Sequence, residues 1–354
     1  MRKKVFFILS SFSAGGSERV FWLLCQNFNK VNFDVTVVLL NTQRKGFTLD
    51  LPGVRIIDLN SIKASRSFIP LLKLLRREMP YAVYATGGHV NILVSFVSLF
   101  CKIPFLIARG TNIPEERNKF SGIKSKVISQ LGTSAFRNFN FIICQSKEML
   151  SSWSSKSIID PRKLVVIPNP VLKPEVINSG DPGESKKLII VARLSAVKGH
   201  NRLIDIFQKL PDNYSLTIAG GDGGLGSQIQ QQIGGYNLGS RVEMLGQIGD
   251  VCNLIASHHI LVLSSYTEAF PNVVLEALSV GTPVVTFRVG AVSDFIVNEF
   301  NGYIVEQGDS VGFRECIIKA CNRTWDHQAI ADDVQARFSI HKVVKQYEDL
   351  IGPS

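Results

Sequence analysis

The chain has 354 residues, a length that predicts two domains of roughly 150 residues each rather than a single core. Apolar residues make up 45% of it and charged residues 19%, which is typical of a well-packed globular protein. Its six cysteines form no Cys-x-x-Cys pair and have no matched histidine cluster, which argues against a structural zinc site or a disulfide framework and favours a reducing compartment.

The net charge of +10 is divided unevenly along the chain. Residues 1–170 contain 24 Lys/Arg and 9 Asp/Glu, a net charge of +15, whereas the remainder contains 15 and 20, a net charge of −5. A basic half joined to an acidic half indicates that the two halves face different partners.

The N-terminal sequence MRKKVFFILSSFSAGG imitates a secretory signal peptide. Its apolar run is only about six residues, shorter than the roughly 7–15 of a signal peptide, and it ends at a glycine turn, so we predict a first buried strand. The apolar stretch 90–108 contains Lys102 and Pro104, so neither part reaches the roughly 18 residues that span a bilayer. A core helix followed by a core strand is predicted there, in a soluble or peripheral protein.

Short runs rich in Val and Ile alternate with helical patterns along the whole chain, which is typical of parallel sheets covered by helices. The predicted strands of the first half are KVFFIL, DVTVVLL, VRIIDL, YAVYAT, PFLIAR, FIICQS and LVVIPNP; those of the second are KLIIVAR, SLTIAG, RVEMLG, HILVLSS, PVVTF and GYIV. Two such series predict two doubly wound α/β domains.

The Pro-rich stretch 168–185 is predicted to link the two domains. We therefore divide the chain into an N-terminal domain of residues 1–170 and a C-terminal domain of residues 171–338. Residues 339–354 have apolar side chains at helical spacing and are expected to form a last helix. This helix could pack on either domain, including back on the N-terminal domain.

The sequence GGDGGLG (220–226) follows the strand-like run YSLTIA and has the G-x-G-x-x-G spacing of a dinucleotide-binding turn. Such a turn belongs after the first strand of its domain, but KLIIVAR and a helix precede this one. The acidic candidate about 20 residues further on, Glu243, lies within a strand run rather than at its exit. We therefore reject binding of a nicotinamide or flavin dinucleotide.

The first turn of the second domain, VARLSAVKGH, is more informative. Arg193 ends a strand, and Lys198 precedes a helix. Ligands of open parallel sheets bind beyond the carboxyl ends of the strands, and two cations at a helix N-terminus would bind a diphosphate. The alternative is a pair of solvated charges on a loop.

The segment SSYTEAFPNVVLEA contains Glu268 and Glu276 with seven residues between them. Glu276 lies among small apolar residues, where a carboxylate is costly unless it is paired or held for a task. A carboxylate beyond a strand end can accept hydrogen bonds from the vicinal hydroxyls of a ribose or hexose. For either residue alone, a surface or capping glutamate is the alternative.

Together these residues resemble the retaining nucleotide-sugar glycosyltransferases of family 4, which have the GT-B fold of two α/β domains facing each other across a cleft. The order and spacing of ARLSAVKG, GGDGGL and the Glu268–Glu276 pair carry this resemblance. GGSERV (15–20) and VIPNPV (166–171) extend it over nearly the whole chain.

The resemblance implies that Arg193 and Lys198 are catalytic, holding the diphosphate and stabilising the leaving group. It implies that Glu268 is catalytic as well, in contact with the transferred sugar, and that Glu276 binds the ribose hydroxyls. The remaining donor-binding residues that it implies in this domain are Gly221, Asn272 and Val273. Pro271 stands where many relatives have glycine, so one backbone donor is missing there.

In the first domain, Gly15 and Gly16 are expected to form a turn where the backbone approaches the diphosphate closely, with an ordinary turn as the alternative. His89 and Arg109 each follow a predicted strand, so they are candidates for contact with the sugar or the acceptor. Asn112, with Arg109, is expected to bind an acceptor phosphate. A plain histidine at a helix start is the alternative for His89.

The resemblance further implies that the configuration at the anomeric carbon is retained without a covalent protein nucleophile, because the acceptor attacks the face that the nucleoside diphosphate leaves. No metal or cofactor is expected, since Arg193 and Lys198 replace a metal and the sequence has no Asp-x-Asp motif. The expected donor is a nucleoside diphosphate sugar, with UDP the favoured nucleotide. The expected acceptor is a lipid-linked or surface glycan in polysaccharide, O-antigen or glycoconjugate synthesis.

The basic clusters RKK (2–4), KLLRRE (73–78) and KFSGIKSK (119–126) predict that the first domain docks on an anionic membrane, peripherally on the cytoplasmic face. A solvated basic face is the alternative. Nucleic acid is not expected as a partner, because no binding motif accompanies the charge. The competing functions are a same-fold transferase or phosphorylase with a small soluble acceptor, and a non-catalytic nucleotide-sugar-binding or interaction protein.

Overall fold

The computed structural model of the chain describes residues 2–12, 16–41, 51–61, 64–110, 134–155, 159–180, 183 and 185–352. The chain divides into two compact units. Unit 1 consists of Met1–Pro170 and Ile340–Ser354, and unit 2 of Val171–Ser339. Gly15, Asn112 and the basic cluster 119–126 lie outside the described residues.

Unit 1 contains, in its described part, a seven-stranded parallel sheet in the order β3-β2-β1-β4-β5-β6-β7. The strands are β1 Lys3–Leu9, β2 Phe33–Leu39, β3 Arg55–Asp58, β4 Ala82–Thr86, β5 Phe105–Arg109, β6 Phe141–Cys144 and β7 Leu164–Val166. The helices are α1 Gly16–Asn27, α2 Phe68–Glu78, α3 Gly88–Ser98 and α4 Lys147–Ser154.

The core of unit 1 is aromatic around the central strand. Phe7 on β1 is fully buried and stacks on Tyr84 of β4 with ring centroids 5.0 Å apart. Both strands are buried on two faces because helices cover both sides of the sheet, and this explains why their sequences are continuously apolar.

The described part of unit 2 contains a six-stranded parallel sheet in the order β10-β9-β8-β11-β12-β13. Its strands are β8 Lys186–Val191, β9 Tyr214–Ala219, β10 Val242–Gly246, β11 Ile260–Leu263, β12 Val284–Phe287 and β13 Gly302–Val305. Its helices are α5 His200–Phe207, α6 Gly226–Gly235, α7 Val251–Ala256, α8 Asn272–Ser279, α9 Val292–Phe295, α10 Ser310–Asn322 and α11 His327–Phe338.

The last helix, α12 (Ile340–Asp349), belongs to unit 1 although it follows unit 2 in the chain. Val343 and Tyr347 on one face of this helix are fully buried. The Tyr84 hydroxyl donates to the carbonyl of Tyr347, and the Tyr81 hydroxyl donates to that of Ile351 at 3.0 Å. The end of the chain is therefore part of the aromatic core of unit 1.

Part of the predicted linker is fixed on unit 2. The buried Asn178 side chain donates to the carbonyl of His258 at 2.8 Å and to the Thr282 hydroxyl at 2.9 Å. Among the residues that the structure describes, no helix is long and apolar enough to cross a membrane.

Every run that the sequence predicts as a strand contains one, and both sheets are parallel as predicted.

Candidate functional site

The residues predicted to bind the donor lie at the carboxyl ends of the strands of unit 2. Lys198, in a short 3₁₀ turn before α5, donates its ammonium to Glu268 Oε1 at 2.6 Å. The Ser265 hydroxyl donates to the same oxygen at 2.7 Å. The side chains of Lys198 and Glu268 are 25% and 12% exposed, so this ion pair is only partly reached by water. Two residues predicted separately from the sequence thus form one cluster.

Backbone contacts hold the loops that carry this pair together. The Tyr266 amide donates to the carbonyl of Val197 at 2.8 Å, and the Ser264 hydroxyl donates to that of Lys198 at 3.1 Å. Gly199 has φ +66°, and a Cβ there would lie 2.1 Å from the carbonyl oxygen of Ser264. Only glycine allows the backbone to come this close. This close approach explains why a glycine follows Lys198.

Gly290 supports the other side of the Glu268 loop. Its φ is +50°, and a Cβ would lie 2.2 Å from the carbonyl oxygen of Glu268. The amide of Ala291 donates to the carbonyl of Ala269 at 3.3 Å. Gly290 is not recognisable from the sequence, because nothing local to residues 288–291 shows which loop it faces.

Arg193 lies against the glycine turn. The Leu194 amide donates to the carbonyl of Gly221 at 3.0 Å, and the Gly223 amide donates to that of Leu194 at the same distance. These bonds fix the turn beside Arg193, whose own side chain is exposed. A Cβ on Gly221 would be 3.6 Å from its nearest neighbour, Gln247 Oε1, which is an ordinary van der Waals contact.

The glycine turn does not have the free helix N-terminus that a dinucleotide needs. The Asp222 carboxylate accepts hydrogen bonds from the amides of Gly224, Leu225 and Gly226 at 2.8–3.1 Å. These bonds lower the pKa of Asp222 from its ordinary value, so a carboxylate already occupies the anion position at the start of α6.

Helix α8 places the remaining donor-binding candidates. Asn272 and Val273 form its first turn and are half-buried. Glu276 lies one turn further on and is also half-buried, between the buried residues Leu275 and Ala277. The predicted contrast between this carboxylate and its apolar neighbours is therefore present in the structure.

Arg202 is a residue of the site that sequence analysis missed. Its guanidinium donates to the carbonyls of Ser264 and Ser265 and to Gln307 Oε1, and it lies 3.9 Å from the Tyr266 ring centroid. Burial lowers the pKa of Arg202 to about 10, which leaves it a cation. Arg202 thus fixes the loop that presents Glu268.

His200, the first residue of α5, follows Lys198 and Gly199 in the chain and is 1% exposed. Burial lowers its pKa to about 4, and the charge of Lys198 adds to this effect. His200 is therefore neutral at physiological pH.

The candidates of the first domain lie in unit 1. Gly16 begins α1, and His89, which is exposed, lies in the first turn of α3. Both follow the carboxyl end of a strand, as predicted.

Arg109 differs from its prediction. Its side chain is 1% exposed, and its guanidinium donates to Asn169 Oδ1 at 2.5 Å. Burial lowers the pKa of Arg109, and the nearby Tyr347 opposes this shift. The guanidinium is thus enclosed beside Tyr347, and its contact with an acceptor phosphate stays a prediction.

Among the described residues, no group of three or more histidine, cysteine, aspartate or glutamate side chains is arranged to hold a metal ion.

Two family models match the chain. Residues 14–171 match Glycosyltransferase Family 4, and residues 174–332 match Glycosyl transferases group 1. A similar protein is the Escherichia coli UDP-Gal:alpha-D-GlcNAc-diphosphoundecaprenol alpha-1,3-galactosyltransferase, 26% identical over 278 residues that cover 74% of this chain and 72% of the relative. The Saccharomyces cerevisiae (strain YJM789) phosphatidylinositol N-acetylglucosaminyltransferase GPI3 subunit is 27% identical over 244 residues, which cover 64% of this chain and 54% of that protein.

Solved structures agree with these matches. The crystal structure of Anabaena Alr3699/HepE in complex with UDP and glucose superposes with a TM-score of 0.81 at 19% identity, covering 100% of both chains. The lipopolysaccharide outer core galactosyltransferase WaaB superposes with a TM-score of 0.78 at 18% identity over 98% of this chain and 99% of that one. The chain belongs to glycosyltransferase family 4. The predicted GT-B fold is confirmed. The Lys198–Glu268 pair is the centre of the candidate site in unit 2.

Proposed function

We propose that this glycosyltransferase moves a hexose or N-acetylhexosamine from a UDP-sugar to a lipid-linked or surface glycan, with retention of configuration and without a metal. The observation that carries the proposal is the contact between Lys198 and Glu268 at 2.6 Å, beside the loop that Arg193 begins. This contact places Lys198, the cation that would bind the leaving diphosphate, next to Glu268, the carboxylate that would bind the sugar.

The names of similar proteins support the substrate classes. The E. coli relative is named for transfer from UDP-Gal to a diphosphoundecaprenol-linked sugar, and the Anabaena structure contains UDP and glucose. A lipid-linked acceptor places the reaction at a membrane. We extend the proposal to a peripheral enzyme on the cytoplasmic face of the plasma membrane.

Arg193 and Lys198 would stabilise the negative charge that develops on the departing UDP. Lys198 has three N–H donors, and its ion pair with Glu268 uses one, so two can reach phosphate oxygens. A donor that is fixed before the reaction stabilises this charge without reorganisation. This role is the one that a metal ion fills in metal-dependent enzymes, and it is the reason for proposing metal-independent transfer.

Glu268 would orient the sugar rather than attack it. Its Oε1 accepts two hydrogen bonds, from Lys198 and Ser265, which reduces the nucleophilicity of that oxygen. The other oxygen, Oε2, would accept a hydrogen bond from a hydroxyl of the sugar. Glu276 would accept the two ribose hydroxyls, and the backbone amides at Asn272 and Val273 would contact sugar and phosphate.

The test is transfer from a panel of UDP-sugars to a lipid-diphosphate-linked acceptor in excess chelator, with the anomeric configuration of the product determined by NMR. We expect unchanged turnover and a product with the configuration of the donor. Turnover that chelator abolishes and magnesium restores would contradict metal independence, and an inverted product would contradict retention. Donor binding without any turnover would favour a non-catalytic binding protein.

A further inference from the structure

Unit 1 presents exposed apolar side chains on α2 and around the C-terminal end of α3. Phe96, Leu99 and Phe100, at the end of α3, are 50%, 61% and 54% exposed, and Ile69 on α2 is 55% exposed. Basic residues accompany them on and beside α2. We call this set the α2–α3 surface; its members are Arg66, Ile69, Lys73, Arg76, Arg77, Phe96, Leu99 and Phe100.

The α2 members lie on one face of that helix, since they recur at intervals of three and four residues from Ile69 to Arg77. Phe96 lies in the last turn of α3, and Leu99 and Phe100 lie in the turn that follows this helix. The two regions are in contact. The Phe68 and Phe100 rings pack edge to face with centroids 5.9 Å apart, and Arg76 Nε donates to the carbonyl of Phe100 at 3.1 Å.

The charge of this surface has one sign. Residues 64–105 contain five Lys/Arg and a single acidic residue, Glu78. The Glu78 carboxylate is 12% exposed and is paired with Lys4 at 3.3 Å and with Arg55 and Arg77 at 3.1 Å. These cations lower the pKa of Glu78 to about 2. Glu78 is therefore paired with cations rather than left as a free negative charge beside the exposed aromatic residues.

We propose that the α2–α3 surface docks this enzyme on an anionic lipid bilayer. Aromatic and aliphatic side chains flanked by cations fit the boundary of a bilayer, where the apolar groups enter the acyl region and the cations meet lipid phosphates. The positive charge matches an anionic leaflet, and this match favours a bilayer over an apolar protein partner. The inference rests on the proposed function, because a membrane-linked acceptor requires the enzyme at the membrane, but it assigns that role to particular residues.

The test is flotation of the full chain with vesicles of phosphatidylcholine, with and without phosphatidylglycerol. The variants are an apolar pair, Phe96→Ser with Leu99→Ser, and a charge pair, Arg66→Glu with Lys73→Glu. We expect the parent protein to bind only the anionic vesicles and to dissociate in roughly 0.5 M salt. Each pair should lower the vesicle partition coefficient by about tenfold or more.

The matched controls are Val31→Ser, an apolar residue 82% exposed elsewhere in unit 1, and Lys173→Glu with Lys209→Glu on unit 2. These variants should bind vesicles like the parent protein. UDP binding, measured calorimetrically on every variant, should be unchanged, because the α2–α3 surface is in unit 1 and the UDP-binding candidates tested are in unit 2.

Three outcomes would overturn the proposal: no vesicle binding by the parent protein, undiminished binding by both pairs, or self-association in the absence of lipid that the apolar pair abolishes. The last would make the surface an interface between copies of the chain. The parent protein could fail to bind UDP while only the apolar-pair and charge-pair variants lose vesicle binding. That result would count against the proposed function and would support the docking surface.

Discussion

In the proposed reaction, the partly buried ion pair of Lys198 and Glu268 contacts two parts of one donor, its diphosphate and its sugar. An exposed pair contributes little because water screens it, but these side chains are 25% and 12% exposed. The carboxylate holds the ammonium in place in the free enzyme. Since the ammonium has donors left, phosphate binding does not require the pair to break.

Lys198→Ala and Glu276→Ala should each lower kcat/KM by about a hundredfold or more while the fold persists. For Lys198→Ala, the loss of a charge-assisted contact to a developing phosphate charge costs about 3 kcal/mol. For Glu276→Ala, each lost hydrogen bond between the carboxylate and a ribose hydroxyl costs about 1.5–3 kcal/mol. Glu276→Ala should also weaken UDP binding, since its proposed contact is to the ribose. Steady-state kinetics and calorimetry measure both effects, with Lys209→Ala, an exposed lysine of the same unit, as control. A folded Glu276→Ala enzyme with parental kinetics and affinity would refute the ribose assignment.

The sequence predicts the types and positions of the site residues better than their contacts. The local sequence makes four of these residues recognisable, because each follows a predicted strand or lies among apolar helix residues: Arg193, Lys198, Glu268 and Glu276. The Lys198–Glu268 contact joins residues 70 positions apart, which no local pattern predicts. The burial of Arg109 is unpredictable for the same reason: its position after a strand is local, but its enclosure involves Tyr347 of α12, more than 200 residues later.

At the scale of elements, side-chain contacts from α5 hold the loop after β11, which carries Glu268, in place. Arg202 on α5 donates to two carbonyls of that loop and stacks on Tyr266. A guanidinium can make these contacts together because its donors have a fixed planar geometry, and an ammonium cannot.

Arg202→Lys should therefore lower kcat/KM by about tenfold through loss of alignment of Glu268. The matched control is Arg241→Lys, since Arg241 also donates to backbone carbonyls, those of Tyr214, Leu210 and Pro211, but away from the site. Both variants should lose comparable thermal stability, and only Arg202→Lys should lose activity. Equal losses of activity in the two variants would show that Arg202 acts through general stability.

The neutral His200 makes the stability of unit 2 depend on pH. Its pKa is about 4 in the folded chain and about 6.5 when unfolded, so below pH 6.5 the unfolded state binds the additional proton. The stability that the neutral ring provides is complete above pH 6.5 and is lost as pH falls towards 4, by about 3 kcal/mol in all. Urea unfolding across this range should show the decline, and His200→Gln should flatten it. An equally steep decline in His200→Gln would assign the dependence to other groups, such as His258, whose pKa burial also lowers.

The strands were predictable because a doubly wound sheet imposes burial on both faces of each strand, so the signal is continuous and local. The contacts by which Arg202 and Gly290 hold the loop of Glu268 were not predictable. Both residues act across loops that are adjacent only after folding.

For the whole molecule, chain order and spatial order differ at the C-terminus. The chain forms unit 1, then unit 2, and returns with α12 to complete the aromatic core of unit 1. Tyr347 is fully buried beside Tyr84, with ring centroids 5.6 Å apart, and its carbonyl accepts the Tyr84 hydroxyl. Unit 1 therefore cannot be completed until the last residues are available.

Tyr347→Ala should destabilise unit 1 by about 3–5 kcal/mol, because it leaves a cavity where an aromatic side chain was fully buried. UDP binding should persist at temperatures where unit 1 has melted, because the candidate donor-binding residues of unit 2 do not depend on α12. Calorimetric unfolding with and without UDP measures both, and His341→Ala, on the exposed face of the same helix, is the control. Two unfolding transitions are expected. UDP should raise the melting temperature of the unit 2 transition, and Tyr347→Ala should lower that of the unit 1 transition. A single transition that the variant lowers and UDP raises would show instead that the two units unfold as one.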